Sequence, residues 1–120
     1  MEHELNYDEK NQVLVLRFKN DLLYDEVKII AQKLIEITHD KPYKQLIVVS
    51  GPGYKIENRE TREAIMSELS NLNFTQLAYV GLSAANRMIA KVMSKTGLIK
   101  LESDFFSEYE EAAKWLKSKR

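Results

Sequence analysis

The run Leu46-Ile47-Val48-Val49 carries no polar residue at either phase of a two-residue repeat. A strand exposed on one face alternates, so this pattern demands a central strand covered by helices on both faces. Gln12 to Phe18 is likewise apolar on both sides of its repeat, and Leu77-Ala78-Tyr79-Val80-Gly81 reads as a further compact strand. Covered strands of this kind fix the class as α/β. Ahead of them, Glu4 to Tyr7 can supply a short edge strand, with residues 8–11 as a polar hairpin turn.

Helix-sized blocks separate these strands. Val27, Ile30, Ala31, Leu34, Ile35 and Ile37 recur at helical spacing, with Asn20 or Asp21 as the cap and Pro42 beyond the end. Asn58 caps a second helix with Ala64, Ile65, Leu69 and Leu72 inward; Ser83 caps a third with Ala84, Ala85, Met88, Ile89, Val92 and Met93 as its stripe. Gly97 closes that helix, Leu98-Ile99-Lys100-Leu101 forms the last strand, and Ser107-x-x-Glu110 reads as a capping box opening a terminal helix. In that helix Tyr109, Ala112, Ala113 and Leu116 face inward, flanked by Trp115. The expected chain is one α/β domain over residues 1–120, with a mixed central sheet, packed helices and the order ββαβαβαβα.

That order is carried by Leu46 to Ser50 before a polar loop, Tyr79-Val80-Gly81-Leu82-Ser83 before a helix, and a Phe106 to Leu116 ending that includes Ala112, Ala113 and Trp115. Together these segments resemble the STAS domain superfamily, in particular its small anti-sigma-factor-antagonist-like branch, which is grouped loosely with lipid-binding CRAL-TRIO-like domains. The resemblance covers nearly the whole chain. It implies a noncatalytic, regulatory, protein-interaction domain, and secondarily a binder of a small lipid or amphipathic metabolite. Antagonists of that branch carry a phosphorylatable Ser or Thr in an Asp-Ser-Ser-Gly-like setting where the helix after the central strand begins. Residues 50–61 lack that motif here, and Thr61 is the nearest hydroxyl.

Other chemistry is sparse. The chain has no Cys, which excludes disulfides and thiolate ligands, and its eighteen basic residues balance eighteen acidic ones, so no overall field draws it to nucleic acid. His3 and His39 have no companion ligands in sequence and read as surface or helix-end side chains. Glu108, Glu110 and Glu111 read as first-turn charge, and Ser50 lacks the context of a nucleophile. No motif calls for a metal or cofactor, and neither a leader pattern nor an apolar run of bilayer length is present, so the expected residence is cytoplasmic.

Three features remain as candidates. Gly51-Pro52-Gly53 is either a plain turn or an anion-binding backbone nest. Arg87, Lys91 and Lys95 form a ridge at four-residue spacing, either solvated or facing phosphate or an acidic partner. Leu82, Met88, Ile89 and Met93 are core filling or the lining of an apolar pocket beneath that ridge. The expected interaction surface comprises Tyr54, Thr61, Ser83, Arg87 and Lys91, around two strand-to-helix transitions; its partner is an unidentified protein, with a homodimer as a further arrangement.

Overall fold

The computed structural model describes residues 2–51, 54, 56–95 and 101–120, except for the side chains of Ile89, Ala90 and residues 92–95. The hairpin β1 (Glu4–Asp8) and β2 (Val13–Arg17) leads through a short 3-10 turn (Tyr24–Glu26) into α1 (Val27–Thr38). Then come β3 (Gln45–Val49), α2 (Arg59–Asn71), β4 (Gln76–Val80), α3 (Ala84–Lys95), β5 (Glu102–Phe106) and α4 (Tyr109–Ser118). The order is ββαβαβαβα, and the strands lie in one mixed sheet in the sequence β1-β2-β3-β4-β5. Only β1 is antiparallel to its neighbour; β2 through β5 run parallel.

The two-residue repeat of the strands sorts the core into two layers. Leu14, Leu16, Leu46, Val48, Leu77 and Tyr79 point to one face and pack with Ile30 and Leu34 of α1 and Ile65 and Leu69 of α2. Val13, Val15, Ile47, Ala78 and Val80 point to the other, where Ala112, Ala113 and Leu116 of α4 cover them. A short continuous apolar run therefore meets a helix on each side, which is why β3 needs no polar face. Because the parallel strands follow one another in order, their carboxyl ends deliver every following loop to the same edge of the sheet. No reversal of strand order splits that edge into the crevice used by doubly wound folds.

Several local boundaries differ from those expected. The first turn begins at Tyr24, with Leu23 in the cap position, because the Glu26 carboxylate accepts the Leu23 N–H at 2.9 Å; neither Asn20 nor Asp21 is the cap. The last described strand is Glu102–Phe106, with Leu101 buried just outside it; Gly97, Leu98, Ile99 and Lys100, on which the expected helix end and strand fall, lie outside the described residues. As an edge strand β5 tolerates Glu102 and Asp104, and it is anchored by stacking of Phe105 on Tyr79 at 5.2 Å. The Ser107-x-x-Glu110 box does not form, since Glu108 takes the cap position of α4 without a side-chain bond. Asn58 and Ser83 do cap: Asn58 Oδ1 accepts the Thr61 N–H at 2.9 Å and Ser83 Oγ accepts the Asn86 N–H at 3.3 Å.

The terminal helix is tied across the sheet by polar contacts. The Tyr109 hydroxyl donates to Asp8 at 2.5 Å, Asn11 donates to the same carboxylate, and Arg120 donates to the Asn11 and Gln12 carbonyls of the hairpin turn. Burial, reinforced by the bond to Asp8, raises the Tyr109 pKa above the ordinary 10.0. Burial also pushes the Asp8 carboxyl upward, but the bonds from Tyr109 and Asn11 outweigh it and hold the group below its ordinary 3.8. The phenol's contribution to stability is complete below pH 10.0 and is lost as pH rises through its higher folded value. The carboxylate's contribution is complete above pH 3.8 and is lost as pH falls through its lower folded value. Urea denaturation of wild type and Tyr109→Phe is therefore expected to show a gap at neutral pH that closes above pH 10. A constant gap contradicts this assignment.

Candidate functional site

The loops leaving β2, β3 and β4 converge at the carboxyl edge. Past the end of β2, the Phe18 N–H reaches the Val49 carbonyl, and the Ser50 N–H continues the pattern to Val80. Farther out, Leu22 bridges Ile56, and the Glu57 N–H donates to the Leu22 carbonyl at 2.8 Å. The Tyr54 carbonyl accepts from Asn86 Nδ2 at 2.9 Å, which ties the loop after β3 to the first turn of α3. One hydrogen-bonded surface thus runs from β2 to α3.

Gly81 controls the crossing from β4 to α3. Its φ is +82°, and a Cβ there would lie 2.7 Å from the Ser50 carbonyl oxygen, a backbone atom with little freedom to yield. Gly51 is different: its missing side chain makes room for the Tyr54 ring, whose Cε2 would lie 2.8 Å from an added Cβ.

Between these loops and the N-terminal segment is a cleft of about 520 Å³, lined by Glu2, His3, Asn20, Asp21, Leu23, Glu26 and Tyr54. His3 closes its floor and is 6 % exposed, contrary to the surface position expected from sequence. The ring stands edge-on to Phe18, its Nδ1 accepts the Lys19 N–H at 3.2 Å, and its Nε2 donates to Glu26 Oε1 at 3.0 Å. Because Nδ1 accepts, the proton resides on Nε2. Both nitrogens are engaged in fixing the cleft wall, so His3 is a tie between the N-terminal segment, β2 and the start of α1. At the rim, Asn20 Nδ2 donates to the Glu2 carboxylate.

The expected surface residues divide. Tyr54, half-buried, and Ser83, exposed, belong to the carboxyl edge, and Arg87 and Lys91 are exposed on α3. Thr61 does not join them. It is 0 % exposed, and its hydroxyl donates to Asn58 Oδ1, because its place in the first turn of α2 falls on the same buried stripe as Ile65 and Leu69. A phosphate cannot be accommodated there without displacing the helix cap.

The apolar-pocket candidates divide as well. Leu82 packs partly buried against the core, whereas Met88 is 68 % exposed and shares the outward face of α3 with Arg87 and Lys91, instead of lying beneath them. Residues four apart share a face, and Ala84, Met88 and the Arg87–Lys91 pair occupy one. The side chains of Ile89 and Met93 lie outside the described residues. Between α1, α2 and the sheet the free space is only about 30 Å³, lined by residues including Leu34, Met66 and Tyr79.

Sequence reasoning missed Leu23 and Tyr24, which are 46 % and 52 % exposed beside the cleft. The available signal was that Leu22-Leu23-Tyr24 fits neither the strand repeat before it nor the helical stripe after it. Among the described residues, no group of three or more His, Cys, Asp or Glu side chains is placed to hold a metal ion, and no helix is long and apolar enough to cross a membrane.

Comparison with known families returns a domain of unknown function, DUF7793, aligned over residues 7–120. The chain belongs to this family. The match takes in every strand but the start of β1, and all four helices, so the carboxyl edge lies within the DUF7793 domain. His3 and Glu2, which complete the cleft, precede the matched region. No curated protein matches the DUF7793 chain.

Proposed function

We propose that this domain is a noncatalytic, STAS-like regulatory module that recognises another protein through the loops at the carboxyl edge of its parallel strands. The observation carrying the reading is the open, mixed surface at the carboxyl edge, set beside a closely filled layer between α1, α2 and the sheet. The void within the helical layer, at about 30 Å³, is an order of magnitude below the roughly 300–1,000 Å³ of small-molecule sites. The cleft at the edge combines carboxylates with Leu23 and Tyr54, and exposed Tyr24 and Met88 lie on the flanking elements. Aromatic residues, Met and Arg are the types enriched at protein interfaces. The regulatory part of the reading rests on the STAS resemblance, whose expected α/β class and element order the chain has.

The test is affinity capture with the intact chain as bait, comparing wild type with Leu23→Glu, Tyr24→Glu and the control Lys114→Glu on the exposed side of α4. One protein is expected to be retained by wild type and by the control, and reduced at least tenfold by either edge variant. Equal capture by all four baits, or loss only with Lys114→Glu, contradicts the proposal.

A further inference from the structure

The balanced total charge conceals a separation along the chain. Residues 69–101 contain four Lys or Arg and no Asp or Glu, leaving the remainder with eighteen acidic residues against fourteen basic ones. The acid-free stretch includes all of α3. At the carboxyl edge Glu2, Asp21 and Glu26 line the cleft and Glu57 accepts the Tyr24 N–H, while Glu108, Glu110 and Glu111 follow β5 at the start of α4. Within that edge α3 is the element that carries cations and no carboxylate of its own.

On α3 the exposed face has a definite composition. Ala84, Arg87, Met88 and Lys91 stand at spacings of three and four, so they form one patch. Arg87 has neither an ion pair nor a side-chain hydrogen bond among the described residues, and Lys91 has only the face of Phe105, at 5.8 Å, as a described contact. Between the two cations lies the 68 % exposed Met88, an unbranched thioether able to fit apolar groups of varied shape. Cations alone would suit any anion; cations flanking an exposed Met suit a ligand that offers carboxylates around an apolar anchor.

From this charge complementarity we infer that α3 docks an acidic amphipathic segment of a partner protein, with carboxylates on Arg87 and Lys91 and an apolar side chain on Met88. The inference rests on the protein-recognition reading above and specifies the chemistry of the partner. Carboxylate pairs give on-rate and register, while burial of Met88 supplies the apolar contribution. Since Arg87 and Lys91 are solvent-exposed, their reversal leaves the fold intact; a Glu at position 87 also sits favourably in the first turn of α3.

The experiment is a fluorescence-anisotropy titration of the full chain with a labelled helix-forming peptide bearing Glu at i and i+4 around a central Leu. The Lys-for-Glu peptide and phosphatidylserine vesicles serve as comparison probes. Expected are saturable binding of the Glu peptide, weakening by about tenfold in Arg87→Glu or Lys91→Glu, a smaller loss in Met88→Ser, and recovery when Arg87→Glu meets the Lys peptide. Raised salt should weaken the wild-type interaction. Equal binding of both peptides, indifference to Arg87→Glu and Lys91→Glu, or binding of the vesicles alone overturns the inference. If capture is abolished by Leu23→Glu but unaffected by Arg87→Glu, the edge remains the recognition surface and the acidic class of partner is rejected. Loss of dependence on both positions rejects both readings.

Discussion

Gly81→Ala is expected to destabilise the domain by about 2–4 kcal/mol, among the largest effects available to a single methyl group. Two costs combine. The backbone at Gly81 has φ +82°, where an L side chain costs roughly 1–2 kcal/mol. The added Cβ would also lie 2.7 Å from the Ser50 carbonyl oxygen, so β3 and β4 must separate locally or the loop must rotate. Either response disturbs the Ser50–Val80 and Gly81–Phe106 hydrogen bonds that extend the sheet into the carboxyl edge. For a domain of this size the melting temperature should fall by on the order of 10 °C. Gly51→Ala provides the contrast: its Cβ meets the Tyr54 ring, a side chain that can swing away, so the loss should stay near 1 kcal/mol and be confined to the loop. Matched thermal and urea denaturation of the two variants checks the difference. Equal losses would mean that the Gly81 conformation is not required.

Leu116→Ala carries the second large effect, a loss of about 3–4 kcal/mol. Leu116 is 0 % exposed and is the largest fully buried side chain that α4 contributes to its layer, whose other buried helical members are Ala112 and Ala113. Two alanines cannot expand to fill the space, so truncation leaves a cavity against Val13, Val15, Ile47 and Val80. The Leu116 carbonyl also accepts from Gln45 Nε2 at 2.9 Å, which makes that turn the junction between the apolar layer and the polar tie around Arg120. Faster hydrogen exchange should appear first in α4 and in the amides of β3, with the α1 and α2 side less affected. A cost below about 1 kcal/mol would show that α4 contributes little to holding the sheet.

The central strands were legible because β2, β3 and β4 are covered on both faces, and an unbroken apolar run has few other uses. The edge strand β5 was not, since an edge accommodates Glu102 and Asp104 and the stronger apolar signal lay just before it. The Asn58 and Ser83 caps were legible because each closes a bond within one turn of its helix. Local reading failed where the partner came from afar: His3 is buried by Lys19 and Glu26, separations that no local pattern reveals. Tyr54, Ser83, Arg87 and Lys91, expected beside strand-to-helix transitions, lie at the carboxyl edge and on the exposed face of α3. Thr61 was misplaced because the hydroxyl sits at an inward helical phase, and Met88 because an apolar residue at helical spacing was assigned to the core when it faces outward beside the cations.

Under the proposed function, one partner is read by the carboxyl edge together with the adjoining face of α3. This is tested most directly by photo-crosslinking in cells, with the reactive group placed in turn at Leu23, Met88 and Lys114. The same protein adduct is predicted from Leu23 and Met88, with none from Lys114 on the opposite face. Adducts from Lys114 alone, or no adduct common to Leu23 and Met88, would contradict it.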